Sequence, residues 1–181
     1  MANRLVFVLG GTRSGKSRYA LERTRQLAGD GRAWVVATAR PGDPEMDDRI
    51  ARHRRARPST WPTIDVDADL AAAIMRSDPG EPLLIEGLTL WLSALLGDVP
   101  PEVDAVLDGP VEAALVAIAN RAGPVVIVSD EIGLGTVPMH PLTRGFRDLV
   151  GLTHQRIARD ADEVLFVVAG LPLTLKPDPG R

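Results

Sequence analysis

The stretch Gly10-Gly11-Thr12-Arg13-Ser14-Gly15-Lys16-Ser17 decides the fold of this chain, because it fits the phosphate-loop pattern G-x-x-x-x-G-K-[ST] at every position. In such a loop, glycines let successive backbone N–H groups turn toward phosphate oxygens where a Cβ atom would clash. The motif predicts that Lys16 meets the β- and γ-phosphates of a nucleoside triphosphate and that the Ser17 hydroxyl binds Mg²⁺. All eight residues are therefore candidates for nucleotide binding.

The segments on either side of the loop have the pattern of a strand followed by a helix. Residues 5–9 are a continuous apolar run, and helical spacing follows at 15–28. Further strand-like runs lie at 33–38, 82–86, 124–129 and 163–169, with a short extended piece at 63–66. Helical spacing recurs at 43–56, 67–76, 88–96, 103–121 and 141–159, and breaks are expected at 98–101 and 109–110. This alternation predicts an α/β fold of the P-loop NTPase type, with a mainly parallel sheet and helices on both faces.

The composition is that of a soluble globular protein, and residues 1–181 are expected to form a single domain with a frayed tail at 176–181. The net charge of −3 does not favour nucleic-acid binding. The absence of cysteine excludes disulfides, thiolate catalysis and zinc–thiolate sites. No apolar stretch reaches membrane-spanning length, and the N-terminal run is too short for a signal peptide, so we expect a cytoplasmic protein with no membrane span.

Acidic residues follow two of the predicted strands. Glu86 ends one strand, and Asp130 and Glu131 end another. Because ligands of such sheets lie at the carboxyl ends of strands, these carboxylates are candidates for handling magnesium or water. A helix cap or a surface charge is the alternative for each of them, and the spacing alone favours function only for Glu86.

One histidine, His53, shares a predicted helix face with Met46 and Ile50. Five arginines fall within the nine positions 49–57, and they either form a solvated helix face or face an anion beside the loop. Arginines there would favour a neutral imidazole and hold a phosphate for it to attack. A hydrogen-bonded core histidine remains the alternative. His140 and His154 are expected to be exposed or to have packing roles.

Several further blocks, taken with the loop, resemble one family. They are residues 47–58 with His53 ahead of Arg57-Pro58, Leu88-Thr89-Leu90-Trp91-Leu92, the run from Glu131 to Pro138 (EIGLGTVP), Phe146-Arg147-Asp148, the run from Thr153 to Arg156, and residues 161–164 leading to 169–173. The chain is similar nearly end to end to the bifunctional adenosylcobinamide kinase/adenosylcobinamide-phosphate guanylyltransferases of cobalamin biosynthesis. These blocks are far more specific than a phosphate loop alone.

The resemblance implies two reactions. ATP or GTP would phosphorylate the terminal hydroxyl of adenosylcobinamide, and GTP would then donate GMP to adenosylcobinamide phosphate through a guanylylated histidine, releasing pyrophosphate. By position, His53 corresponds to that histidine, Lys16 and Ser17 to the phosphate-loop pair, and Glu86 to an acidic residue at a strand end that is catalytic or binds Mg²⁺. Arg54 is expected to contact the nucleotide. A homotrimer is implied as well.

Two other functions remain open from the sequence. One is a small-molecule kinase that uses the same loop without a covalent histidine. The other is a non-enzymatic nucleotide-binding switch whose arginine-rich helix contacts a partner.

Overall fold

The computed structural model describes residues 4–66, 68–97 and 102–178, and seven strands of these segments form one sheet. The strands are β1 (Leu5–Gly10), β2 (Trp34–Ala37), β3 (Thr63–Asp65), β4 (Leu83–Glu86), β5 (Val125–Asp130), β6 (Glu163–Val168) and β7 (Leu171–Lys176). The helices are α1 (Lys16–Ala28), α2 (Pro44–Ala56), α3 (Leu70–Met75), α4 (Leu88–Leu96), α5 (Val103–Val106), α6 (Glu112–Ala119) and α7 (Pro141–Asp160).

The strand order β3-β2-β4-β5-β1-β6-β7 positions the phosphate loop near the middle of the sheet. All pairings are parallel except that of β6 with β7. Gly10, where β1 meets the loop, lies in register with Asp130 at the end of β5. Glu86 ends β4, one strand further away. The loop and the two candidate carboxylates therefore lie at the same end of the sheet, where the carboxyl ends of the parallel strands meet.

Both faces of β1 are covered, which explains its unbroken run of apolar residues. On one face, Phe7 packs in a core shared with α3, α4, α6 and α7. On the other face, Val6 and Val8 pack with residues of α1, including Ala20 and Leu21. The predicted α/β class with a mainly parallel sheet and helices on both faces is confirmed.

Strand β7 is the main element that the sequence interpretation missed. Ala169 and Gly170 both adopt positive φ, 52° and 82°, and they connect the paired residues Val168 and Leu171. A two-residue loop of this kind matches the twist of an antiparallel hairpin, so the chain folds straight back onto β6. Three leucines of β7 stay exposed, and without a buried face the strand has no clear apolar signal in the sequence.

Other boundaries differ in detail. The helix expected over 103–121 is α5 and α6 joined by a π-helical turn, Leu107–Val111, which contains Pro110. Proline has no N–H to donate, and the wider turn accommodates it without ending the helical path. The short edge strand expected near 63–66 is β3. The break expected at 98–101 and residues 179–181 of the tail lie outside the described residues. The rest of the tail is not frayed as expected, because Lys176 ends β7 and Asp178 pairs with Arg4. No described helix is both long and apolar enough to cross a membrane.

Candidate active site

The phosphate loop connects the end of β1 to the start of α1 and needs glycine at two positions. A Cβ atom on Gly10 would lie 2.5 Å from Ser14 Oγ and 2.7 Å from the carbonyl oxygen of Val167. Gly15 has a φ of +96°, and a Cβ there would lie 3.1 Å from Gly170 Cα. Glycine alone fits both places, because it has no Cβ and tolerates positive φ. The loop backbone therefore lies close to the β6–β7 turn.

Lys16 is buried at the start of α1, and its ammonium group meets the end of β5. Its Nζ lies 2.5 Å from Asp130 Oδ1 and donates to the carbonyl oxygen of Gly11 at 3.1 Å. The carboxylate beside the loop lysine is thus Asp130, for which the sequence left function and surface charge equally open. Both contacts hold the ammonium group at the loop, where it can bind an anion.

The loop borders an open cavity, here called the loop pocket. It is lined by the run from Thr12 to Arg18 and by Glu45, Arg49, Arg52 and His53 of α2. Arg52 also lines a neighbouring cavity with Arg13, Asp48 and Arg55. The arginine-rich helix therefore faces the phosphate loop, which supports the anion-facing alternative. Lys16 and the arginines give the loop pocket an excess of positive charge.

A second cavity, here called the inner pocket, lies toward β2 and β4. Its walls include the apolar side chains of Ala39, Ile50, Leu90 and Val128, together with the polar residues Thr38, Asp65, Glu86 and Asp130. Lys16, Ser17, Arg49 and His53 line both pockets. The predicted histidine and the loop lysine thus border a continuous space.

Glu86 is 9% exposed at the end of β4, and its carboxylate meets two side chains of the α2 segment. Arg57, which caps the end of α2, donates to Glu86 Oε2, and His53 Nδ1 lies 3.5 Å from the same oxygen. Burial alone would raise the pKa of the Glu86 carboxyl, but the hydrogen bonds and charges of His53 and Arg57 hold that pKa below its ordinary value. Glu86 is therefore ionised at neutral pH.

Comparison with known proteins decides the family. Residues 6–175 match the family described as cobinamide kinase / cobinamide phosphate guanyltransferase. The chain belongs to this family. It is 44% identical over 173 residues to the bifunctional adenosylcobalamin biosynthesis protein CobP of Pseudomonas aeruginosa, covering 95% of this chain and 97% of that protein. It is 34% identical to the protein of the same description, CobU, from Salmonella typhimurium and from Escherichia coli, covering 95% of this chain and 99% of each relative.

Membership of the cobinamide kinase / cobinamide phosphate guanyltransferase family confirms the resemblance seen in the sequence. It also confirms that the chain is a nucleotide-using enzyme with kinase and guanyltransferase relatives. The non-enzymatic switch is thereby disfavoured.

The structure brings most of the predicted site residues together. Loop residues 12–17 and His53 line the loop pocket, and Glu86 lines the inner pocket with Lys16, Ser17 and His53. Gly10 and Gly11 line neither pocket. Arg54 lines only the inner pocket, and its guanidinium is paired with Asp65 at 3.1 Å, with both side chains more than half exposed. Glu131 does not reach either pocket; its carboxylate lies 3.7 Å from His154 Nδ1. Of the two strand-end acids on β5, only Asp130 therefore belongs to the site.

A buried network of hydrogen-bonded side chains lies next to the site, and the sequence did not predict it. His154 of α7 is 6% exposed, and its Nε2 lies 2.7 Å from the hydroxyl of Ser129. That hydroxyl lies 2.8 Å from Thr89 Oγ1, which accepts from the backbone N–H of Asp130. This network of hydrogen bonds thus joins α7 and α4 to the end of β5, which carries Asp130. The spacing of Val150, His154 and Ile157 along one helix face was the available signal.

His154 gives the folded state a testable pH dependence. Burial lowers its pKa from the ordinary value of 6.5, against the opposing effect of Glu131. A histidine with a lowered folded-state pKa binds its proton more readily when unfolded, so its contribution is complete above pH 6.5 and is lost as the pH falls toward the folded pKa. We expect the free energy of unfolding to fall by up to about 1.4 kcal/mol per pH unit in that window through this one group.

Urea unfolding at about pH 7.5 and about pH 5.5 measures this effect. The variant His154→Gln, whose amide can still accept from Ser129 but does not titrate, should lose part of the acid destabilisation. The exposed His140 provides the matched control, and His140→Gln should keep the wild-type slope. Equal slopes in all three proteins would show that His154 does not carry the dependence.

Proposed function

We propose that this chain phosphorylates adenosylcobinamide with ATP or GTP and then transfers GMP from GTP to adenosylcobinamide phosphate, giving adenosylcobinamide-GDP and pyrophosphate. One observation carries the proposal: His53 lies in the wall between the loop pocket and the inner pocket, together with Lys16 and Ser17. A single nucleotide bound there would expose its γ-phosphate to one acceptor and its α-phosphate to the histidine. One site would then serve both reactions.

In the kinase step, the phosphate loop holds the triphosphate and Lys16 balances the charge on the β- and γ-phosphates. The acceptor is the terminal hydroxyl of adenosylcobinamide, whose oxygen forms a bond to the γ-phosphorus as the bond to the β-phosphate oxygen breaks. The hydroxyl proton is released to water. Catalysis of this kind depends mainly on positioning and on charges placed where negative charge develops. The arginines of α2 add to that charge on the open side of the loop pocket.

Magnesium fits the residues present, although the described residues contain no group of three or more His, Cys, Asp or Glu side chains arranged to hold a metal ion. A magnesium ion at a phosphate loop needs only one or two protein oxygens, because phosphates and water supply the rest. Ser17 would offer its hydroxyl, and Glu86 or Asp130, which line the inner pocket with it, would offer a carboxylate. When bound, the ion would neutralise charge on the phosphates.

In the transfer step, His53 is the proposed nucleophile. A ring nitrogen attacks the α-phosphorus of GTP, a P–N bond forms, and pyrophosphate leaves with the electrons of the broken P–O bond. A phosphate oxygen of adenosylcobinamide phosphate then attacks the same phosphorus, and the P–N bond breaks. Arg54 would contact the nucleotide at the edge of the inner pocket, after exchanging or sharing its partner Asp65.

We also propose that the chain works as a single cytoplasmic domain and as a homo-oligomer, the trimer that the resemblance implies. Exposed apolar side chains on the edge strand β7 support self-association: Leu171, Leu173 and Leu175 are 72%, 57% and 56% exposed. These alternate residues share one face of the strand. Exposed apolar edge strands are commonly covered by another chain.

The test of the proposed function is incubation of the purified chain with adenosylcobinamide and GTP, followed by mass analysis of the corrinoid products. We expect a product heavier by one phosphate group and then one heavier by a further GMP. Only the first product, with no label on the protein from GTP labelled at the α-phosphate, would indicate a kinase without a covalent histidine. Nucleotide binding with no corrinoid product at all would contradict both reactions.

A further inference from the structure

The position of Glu86 relative to α2 suggests a role other than metal binding. His53 and Arg57 are four residues apart, so both reach the same side of the helix end, and both meet Glu86 Oε2. The carboxylate is almost fully buried, and both neighbours favour its charged form. Glu86 thus connects the end of β4 to the helix that carries the proposed nucleophile.

The carboxylate that meets the loop lysine is a different one. Asp130 Oδ1 lies 2.5 Å from Lys16 Nζ, whereas Glu86 is engaged by His53 and Arg57. Arg57 is itself held at the sheet edge, because its second guanidinium nitrogen donates to Thr63 Oγ1 at 3.3 Å. Both contacts of Glu86 are made by its Oε2, so a metal ion bound to this carboxylate would lie beside the guanidinium of Arg57, whose positive charge would oppose it. The two strand-end acids therefore have different partners: Asp130 contacts the loop lysine, and Glu86 contacts the end of α2.

We propose that Glu86 is a positioning residue for His53: it accepts the Nδ1–H of the imidazole and leaves Nε2 as the nitrogen that attacks the α-phosphate. This inference rests on the proposed guanylyl transfer. The hydrogen bond made by one ring nitrogen fixes which nitrogen carries the proton. With Nδ1 protonated, the lone pair is on Nε2, at the opposite side of the ring from Glu86.

The charge balance of the step supports this arrangement. When Nε2 bonds to the α-phosphorus and pyrophosphate leaves, Nδ1 keeps its proton and the ring becomes a cation. The Glu86 carboxylate lies beside that cation and stabilises it, as an acid paired with a catalytic histidine does elsewhere. When the acceptor phosphate attacks, the electrons of the P–N bond return to Nε2 and the ring is neutral again. No proton has to enter or leave the Glu86–His53 pair.

The variant Glu86→Gln tests the proposal by separating the steps, because the amide keeps the shape but no longer favours one tautomer. We expect labelling of the protein by α-labelled GTP to slow by about 10²-fold to 10⁴-fold, the range associated with a wrongly set tautomer. The ratio of the labelling rate to the rate of adenosylcobinamide phosphate formation from ATP should therefore fall, because the kinase step does not depend on the tautomer of His53. The matched variant Asp130→Asn makes the same chemical change beside Lys16 and should slow both steps together.

Each other outcome has a distinct meaning. Loss of both steps in a folded Glu86→Gln protein would overturn the proposal in favour of metal binding, and loss of the kinase step alone would favour proton transfer from the substrate hydroxyl. If the wild-type protein takes no label, the proposed transfer itself fails, and Glu86 is not the cause.

A spectroscopic measurement on the wild-type protein does not depend on the variant folding. Long-range ¹H–¹⁵N correlation spectra distinguish the two imidazole tautomers, and His53 is identified by its absence in His53→Ala. We expect His53 to carry its proton on Nδ1 at a pH where the ring is neutral. A proton on Nε2 in that spectrum would overturn the proposal.

Discussion

Replacement of Lys16 by alanine should abolish both the phosphorylation of adenosylcobinamide and the guanylylation of the protein. The chain carries one phosphate loop, and Lys16 lies in the wall of both the loop pocket and the inner pocket. Removing its charge weakens triphosphate binding and also the stabilisation of negative charge on the departing phosphates. We expect each rate to fall by at least about 10²-fold to 10³-fold. Product mass and protein labelling measure the two rates in one preparation.

The alanine variant also leaves a gap and an unpaired partner, because Lys16 is buried against Asp130. Lys16→Met keeps most of the side-chain volume and removes only the charge, so it separates the chemical effect from a packing defect. The thermal midpoint of each variant shows whether the loop still folds. Guanylylation at the wild-type rate in a folded Lys16→Met protein would mean that a second nucleotide site exists, and the single-site proposal would be wrong.

The sequence was sufficient for the fold class because its strongest signals are local. A strand buried on both faces shows as an unbroken apolar run, and the phosphate loop follows β1 directly. β7 lacked such a signal, since its leucines are exposed and its hairpin turn uses Ala169 where a more typical turn would have asparagine or glycine. The π-helical turn around Pro110 was equally hidden, because a proline in a helical pattern normally predicts an end.

The site could be predicted only in part, because no local sequence pattern specifies the order of the strands in the sheet. Glu86 and Asp130 both follow apolar runs, and nothing local says that β5 lies between β1 and β4. That order is what brings Asp130 to Lys16 and leaves Glu86 to α2. The position of His53, by contrast, could be predicted from helical spacing. That spacing predicts that His53 and Ile50 share one face of α2, and both residues line the inner pocket.

Replacement of His53 by alanine should separate the two activities. The kinase step requires the loop, the bound nucleotide and a positioned hydroxyl, but no nitrogen nucleophile, so adenosylcobinamide phosphate should still form. Transfer of GMP requires the attack on the α-phosphate, so adenosylcobinamide-GDP should be absent and the protein should take no label. Since His53 is part of the shared wall of the two pockets, a modest rise in the KM for nucleotide is compatible with this expectation.

The wild-type protein provides the complementary result. It should take label from GTP marked at the α-phosphate and none from GTP marked at the γ-phosphate, because the γ-phosphate leaves within pyrophosphate. The label should be lost in acid and retained in alkali, as expected for a phosphorus bond to imidazole nitrogen. His140→Gln serves as the matched control: this histidine is exposed at the start of α7 and lines neither pocket, so its replacement should leave the labelling at His53 intact. If His53→Ala still becomes labelled, or if the label survives acid, another side chain is the nucleophile, and the role proposed for Glu86 fails with that of His53.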